Sequence, residues 1–177
     1  ISENGYLRGK QCDDAAIDSI SRQSSTSPMS SDPRTAFLKH VPHAAAIGME
    51  VVDIQKGLAV IRAPYDAKLV GNPDTGVVHG GVITTLLDNA CGIAVTAALG
   101  QFRSIATLDL RIDYMKPATP GEAIQARAEC YKLTRNIAFT RAVAYHSDPT
   151  DPIASAVGSF MLDANDGKMT PPPAKGA

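Results

Sequence analysis

Apolar and polar residues alternate with a period of two along several stretches in the second half of the chain. In the clearest stretch, polar residues at positions 107, 109, 111 and 113 alternate with Leu108, Leu110, Ile112 and Tyr114. This period predicts a strand with one apolar and one polar face. The pattern continues over three further stretches, residues 123–131, 137–146 and 153–162. Segments rich in Pro, Gly, Asn and Asp separate them, so we expect four consecutive strands with short connections.

Different patterns precede these strands. Residues 47–54 and 58–63 are rich in β-forming residues and flank a Gln-Lys-Gly turn, which predicts a hairpin. Residues 34–46 have helical spacing that Pro42 interrupts with a break or kink, and residues 64–78 predict a long loop. Small apolar residues dominate positions 80–99, which predicts one long helix that ends at Gly100.

The order of these elements predicts fold class α+β, with an antiparallel sheet whose apolar face one long helix covers. The Ser-, Thr- and Pro-rich residues 1–33 predict a flexible lead, and the proline-rich residues 164–177 predict a tail. The sequence therefore predicts a single domain over residues 34–163.

Composition and charge exclude several classes of function. The net charge of −1, with both signs mixed along the chain, gives no basic surface for nucleic acid or an anionic membrane. The helical stretch 80–99 is long enough to cross a bilayer, but an Asp costs roughly 2.5–3.5 kcal/mol at the bilayer centre. Three well-separated cysteines without a CxxC spacing favour a reducing, cytoplasmic setting without a structural metal site.

The predicted helix contains a single charged residue, Asp88, among apolar neighbours. An acid in such a helix is expected to be desolvated or to line a cleft. Two interpretations follow from the helix alone. Asp88 is either a general base or an acid that pairs with a cation or a neighbouring strand.

The segment His79-Gly80-Gly81 leads into the same helix. Two glycines allow a substrate to approach the backbone, and free N–H groups of a first helical turn can bind a developing oxyanion. This is acyl-transfer chemistry. The alternative is that the glycines serve the turn and that the histidine is structural.

The stretch 78–90, VHGGVITTLLDNA, resembles the hot-dog thioesterases of the phenylacetic-acid-degradation type, within the hydroxybenzoyl-CoA thioesterase superfamily. In that family an acid follows the His of HGG by nine residues, as Asp88 follows His79. Residues 107–117, TLDLRIDYMKP, resemble the family's strand after the helix. The resemblance covers roughly residues 47–162 and implies a hot-dog fold, a sheet wrapped around one long central helix.

The resemblance also implies roles for individual residues. The Gly80 N–H would polarise a thioester carbonyl, and Asp88 from the other subunit would act as general base or nucleophile. Thr107 would help to hold the attacking water, and His79 would order the loop and the start of the helix. Gly81 would lie against the bound substrate. No cofactor or metal is implied, because coenzyme A is part of the substrate.

Relatives often carry an Asn six residues before the His, where this chain has Pro73. Asn72 can replace it as a second oxyanion donor only if the loop absorbs one residue. The candidate contacts for the phosphates of CoA are Arg103, Lys116 and Arg135. Because the implied site needs two subunits, we expect a homodimer or homotetramer.

Two other functions remain open from the sequence, a hydratase or dehydratase of the same fold and a non-catalytic acyl-CoA-binding module. The helix offers no His paired with its acid, which a hydratase needs, and a binding module would not need Asp88. Weaker features are interpreted structurally. We expect Cys91 to be a core filler, His40 and His43 not to bind metal, and positions 109, 111 and 113 to form a salt-bridged surface.

Overall fold

The computed structural model describes Leu38, residues 41–101 and residues 103–162. The boundaries predicted for the lead, the domain and the tail fall outside these residues, as do Cys12 and His40, so those predictions stand untested. The described elements follow in chain order: α1 Pro42–Ile47, β1 Glu50–Gln55, β2 Leu58–Ala63, a 3-10 turn Ala67–Leu69, β3 Val70–Asn72, β4 Val77–Val78, α2 Gly80–Leu99, β5 Ile105–Tyr114, β6 Ile124–Leu133, β7 Ile137–Tyr145 and β8 Ala154–Leu162.

Six of the strands form one antiparallel sheet in the order β1-β2-β6-β7-β8-β5. The long helix α2 packs on this sheet, mainly against β6, β2 and β7. The sheet is lined on its inner face by small buried residues, which allow the helix to approach closely: Ala59, Ala63, Ala126, Ala128, Ala138, Ala142, Ala144, Ala154 and Ala156. The predicted α+β architecture, an antiparallel sheet around one central helix, is confirmed.

Helix α2 spans the residues that the sequence predicts. Gly100 follows it in the left-handed conformation at φ 67°, and its N–H donates to the carbonyl of Thr96. The helix buries a continuous apolar stripe that contains Leu86, Leu87, Ala90, Cys91, Ala94 and Val95. It is long and apolar enough to cross a membrane, but it is the core helix of this fold.

The remaining face of α2 is polar and only partly buried, and strand β5 runs along it in the opposite direction. Tyr114 bonds to Thr84, Thr107 bonds to Asp88, and Ile105 lies beside Gly92. The sequence pattern suggested a helix that is apolar nearly all round. The polar stripe instead faces β5, the last strand of the sheet, so Asp88 is half-buried rather than enclosed.

Strand β5 also departs from the predicted alternation. A bulge between Thr107 and Asp109 shifts the register against β8, and Leu108 is left 53% exposed. Only Leu110 and Ile112 of the predicted apolar face pack against the core, since Tyr114 is 51% exposed. A bulge interrupts the period of two and points a side chain away from its expected face.

The helical break predicted at Pro42 is confirmed, whereas the strand predicted from Ile47 is wrong. Leu38 is helical, Val41 is extended, and Pro42 begins a new helix, because the missing N–H of a proline costs nothing at the first helical position. Ile47 ends that helix and does not start a strand, since Gly48 caps it with φ 76°. The region predicted as a long loop contains the 3-10 turn and the small hairpin β3–β4.

Candidate active site

His79 forms the N-cap of α2. Its Nδ1 accepts a hydrogen bond of 2.9 Å from the N–H of Gly81, and its carbonyl accepts one of 2.9 Å from the N–H of Val82. Its own N–H donates to the carbonyl of Leu69 at 2.9 Å. The imidazole therefore acts as a hydrogen-bond acceptor at Nδ1, a structural role that requires this nitrogen to be unprotonated.

Two glycines pack against His79, and neither position can hold a side chain without displacing it. A Cβ on Gly71 would lie 2.9 Å from the His79 Cα, and a Cβ on Gly81 would lie 2.9 Å from Nδ1. Both distances are shorter than side chains tolerate. The second glycine of the His-Gly-Gly segment thus makes room for the imidazole, and its N–H is already engaged by that ring.

The N–H of Gly80 differs from that of Gly81. Gly80 is the first residue of α2, so its N–H has no partner within the helix. The peptide that carries it is held by the bond from Val82 to the His79 carbonyl. This arrangement leaves one oriented backbone donor at the helix N-terminus, as an oxyanion site requires.

The hydrogen bonds of Tyr114 at this helix start were not predicted from the sequence. The Tyr114 hydroxyl donates to the Gly80 carbonyl at 2.9 Å and lies 2.8 Å from Thr84 Oγ1. Its position as the last residue of an alternating strand predicted only an apolar contact. The one available signal was the hydroxyl itself on a side chain assigned to an apolar face.

Asp88 and Thr107 form the second polar group on α2 and β5. Thr107 Oγ1 donates to Asp88 Oδ1 at 2.9 Å, next to the bulge in β5. Within the part of the chain that the structure describes, no Lys, Arg or His forms an ion pair with Asp88. The alternative that Asp88 neutralises a buried cation is therefore not supported by these residues, but the alternative of a hydrogen bond to a neighbouring strand is met by Thr107 on β5.

Asn72 lies on β3, where Gly71 is an extra residue that the register against β4 skips. This bulge precedes Asn72 and does not shorten the segment from Asn72 to His79, so the role of Asn72 stays a prediction. Its Oδ1 accepts from the N–H of Asp74 at 3.0 Å, which fixes the side chain in a turn.

A cavity of about 430 Å³ opens beside the helix start. It is lined mainly by apolar groups from three segments, and it includes residues of the N-cap: His43, Ile47, Leu69, His79, Gly81, Val82 and Thr85. An apolar cavity next to an oriented backbone donor suits a ligand with a hydrocarbon part and a carbonyl.

Comparisons with known proteins identify the family to which this chain is similar. A family model described as the thioesterase superfamily matches residues 75–153. The medium/long-chain acyl-CoA thioesterase YigI of Escherichia coli is 31% identical over 139 residues, which are 71% of this chain and 88% of YigI. The chain belongs to the thioesterase superfamily.

Solved structures of similar proteins agree with the fold of this chain. A Pseudomonas aeruginosa protein is 46% identical with a TM-score of 0.67, and the match covers 72% of this chain and 95% of that one. A variant of the phenylacetic acid degradation protein PaaI from Thermus thermophilus is 27% identical with a TM-score of 0.60, covering 68% and 97%. The predicted hot-dog fold is confirmed, and this thioesterase is a thioester hydrolase.

The three cations predicted to contact the phosphates of CoA lie at two ends of the sheet. Lys116 follows Tyr114 near the start of α2 and pairs with Asp151. Arg135 lies in the β6–β7 turn, at the same end as the start of β5, which Arg103 precedes. No single cluster of all three cations forms within one chain.

Cys91 is buried in the core of the thioesterase. Burial raises the pKa of its thiol to about 11, and burial also raises the pKa of the Cys130 thiol. A thiol with such a pKa is protonated at neutral pH and is a poor nucleophile. The interpretation of Cys91 as an apolar filler is supported.

The predicted charged surface of β5 contains an Arg111–Asp113 ion pair.

The contacts of His79 predict opposite effects for two glycine substitutions on the same helix. Gly81→Ala should displace the imidazole and lose the cap, which costs about 1 kcal/mol and lowers the Tm. Gly92→Ala is the matched control, because its Cβ would meet only Ile105 at 3.5 Å and the helix gains up to about 1 kcal/mol. Thermal unfolding of both variants measures this, and an equal rise in Tm would contradict the assigned cap.

Proposed function

We propose that the protein hydrolyses acyl-CoA thioesters to a carboxylic acid and CoA at a site shared by two copies of the chain. Membership of the thioesterase superfamily and the similarity to YigI support the reaction and the substrate class. The apolar cavity beside the helix start is suited to the acyl group. No further cofactor is required, since CoA is part of the substrate.

The observation that carries the shared site is the separation of Gly80 and Asp88. They are eight residues apart on one straight helix, which places them about 12 Å apart along its axis. An oxyanion donor and a general base must both lie within about 3 Å of the reacting atoms. One chain therefore cannot supply both groups to the same thioester.

Strand β5 provides the route to a second copy. It is the edge of the sheet, and Leu108 and Thr107 are exposed on it. If two β5 strands pair antiparallel about a two-fold axis, the Thr107 end of one lies opposite the Tyr114 end of the other. Thr107 adjoins Asp88 and Tyr114 adjoins Gly80, so this pairing brings Asp88 of one copy towards Gly80 of the next.

In the proposed reaction, the N–H of Gly80 stabilises the negative charge that develops on the thioester oxygen. Asp88 acts as general base on a water molecule or as the nucleophile, and Thr107 orients its carboxylate through Oδ1. As general base, Asp88 takes a proton from water, the water oxygen bonds to the carbonyl carbon, the C–S bond breaks, and the CoA sulfur leaves with that proton. As nucleophile, an Asp88 carboxylate oxygen bonds to the carbonyl carbon and displaces the CoA thiolate, and water then hydrolyses the anhydride and supplies the proton to the thiolate. His79 orders the donor without transferring a proton in this scheme.

The remaining roles follow from position in the fold. We assign Asn72 as a second donor, because it ends the strand of the small hairpin that leads to His79. Lys116 is the candidate phosphate contact nearest to Gly80, although Asp151 offsets its charge. Arg103 and Arg135 of the second copy are the candidates at the other end. We place the reaction in the cytoplasm, consistent with the free thiols of Cys91 and Cys130.

Two other outcomes would replace this proposal. A hydratase would add water to an unsaturated acyl chain without releasing a thiol, and a binding module would hold acyl-CoA without turnover. A panel of acyl-CoA substrates with different chain lengths, assayed for thiol release, separates hydrolysis from both alternatives and identifies the preferred acyl group. Loss of the absorbance of an α,β-unsaturated acyl-CoA without thiol release would indicate a hydratase, and binding of acyl-CoA without either reaction would indicate a binding module.

Removing the base should abolish turnover without unfolding the protein. Asp88→Asn keeps the shape of the side chain and its bond from Thr107, and Asp88 has no cation partner among the described residues. We expect an unchanged Tm and a kcat at least about a hundredfold lower, the lower end for loss of a general base. A variant with a lower Tm and a near-normal kcat per folded molecule would refute the catalytic assignment.

Removing the backbone donor is possible because Gly80 is the first helical residue. Gly80→Pro removes that N–H and adds a pyrrolidine ring, and proline is favoured at this position of a helix. The added Cβ would lie 3.5 Å from the Tyr114 hydroxyl oxygen, an ordinary contact, so Gly80→Ala, which adds the same Cβ and keeps the N–H, is the matched control. His79 already has the extended conformation that precedes proline, with φ −60° and ψ 134°. We expect a folded oligomer whose kcat falls by about 10² to 10³. A folded variant with normal thiol release would exclude Gly80 as the donor.

A further inference from the structure

We propose that Tyr114 is a positioning residue, because its hydroxyl fixes the direction of the Gly80 N–H. This inference rests on the proposed function of Gly80 as oxyanion donor. Tyr114 contacts that donor only through the backbone of Gly80, and it is not assigned to the reacting atoms.

The direction of the Gly80 N–H depends on the two peptide groups that meet at the Gly80 Cα. The first, between His79 and Gly80, carries the donor and is held by the bond from Val82 to the His79 carbonyl. The second, between Gly80 and Gly81, is held on both edges. Its N–H donates to His79 Nδ1, and its carbonyl accepts from the Tyr114 hydroxyl.

Among the residues that the structure describes, Tyr114 provides the one bond to this pair of peptides that comes from a neighbouring strand rather than from the helix and its cap. Glycine at position 80 has no Cβ to restrict its backbone, so outside contacts must fix its conformation. Thr84 Oγ1 also reaches the Gly80 carbonyl, at the longer distance of 3.3 Å. Loss of the tyrosine hydroxyl therefore leaves a weaker constraint from within the helix.

The ring of Tyr114 has a second effect on Gly80. A Cβ on Gly80 would lie 3.5 Å from the hydroxyl oxygen and 3.6 Å from two ring carbons. The ring therefore covers the side of Gly80 where a side chain would be, and a ligand must approach from the side of the N–H. The Tyr114 side chain is 51% exposed and therefore adds little to the core. Its contact with Gly80 explains why a tyrosine lies at this position of β5.

The test compares two conservative substitutions in the full-length protein. Tyr114→Phe retains the ring against Gly80 and removes only the hydroxyl. Tyr131→Phe is the matched control, because Tyr131 is 53% exposed on β6 and has no hydrogen bond to α2 among the described residues. Initial rates of thiol release give kcat and KM for both variants with the best acyl-CoA of the substrate panel, and thermal unfolding gives the Tm.

We expect Tyr114→Phe to lower kcat about tenfold with KM within twofold of wild type, since misorienting a donor forfeits part of the 10² to 10³ that its loss would cost. The control should match wild type. A Tyr114→Phe enzyme with normal kcat, or one whose only change is a lower Tm, would overturn the inference. If wild type itself releases no thiol from any acyl-CoA, the proposed function fails, which is a separate result.

Discussion

The contact between the polar stripe of α2 and the edge strand β5 governs both the fold and the site. The buried stripe of the helix packs on small residues of the sheet, and the remaining stripe presents Thr84 and Asp88 to β5. Because β5 runs opposite to the helix, its two ends contact the two functional groups separately. The same strand also forms one edge of the sheet, so the proposed functional groups lie at an edge that another copy can extend.

The helix start illustrates how a backbone donor can be oriented without a charged side chain. His79 caps α2 through Nδ1, and glycines at positions 71 and 81 leave space for the residue. At position 80 the Tyr114 ring packs where a side chain would be. In the proposed mechanism the functional atom is a main-chain N–H, and His79, Val82 and Tyr114 fix its direction.

Local patterns predicted the elements that depend on local chemistry. The bounds of α2 follow from the His-Gly-Gly start and the Gly100 cap, and the alternating stretches became strands within about two residues. The features that were not predicted depend on contacts between residues that are distant in the sequence. The bulge at Leu108 depends on pairing with β8, and the hairpin β3–β4 depends on the bond between His79 and Leu69.

The candidate site was predictable only in part for the same reason. A spacing of nine residues brings Asp88 into a family motif, and Thr107 is recognised from a second motif. The contact of Tyr114 with Gly80 joins residues 34 positions apart, and no local pattern encodes it. The half-buried state of Asp88 likewise follows from the place of β5 at the sheet edge, which the strand pattern leaves undetermined.

A mixed oligomer tests the shared site most directly. Chains with Asp88→Asn and chains with Gly80→Pro are produced together with different tags, and the species that carries both tags is isolated. In a two-fold dimer one site then contains both changes and the other contains neither, so thiol release should recover to about half of the wild-type rate per dimer. A mixed dimer that is no more active than either parent would contradict a site built from two chains.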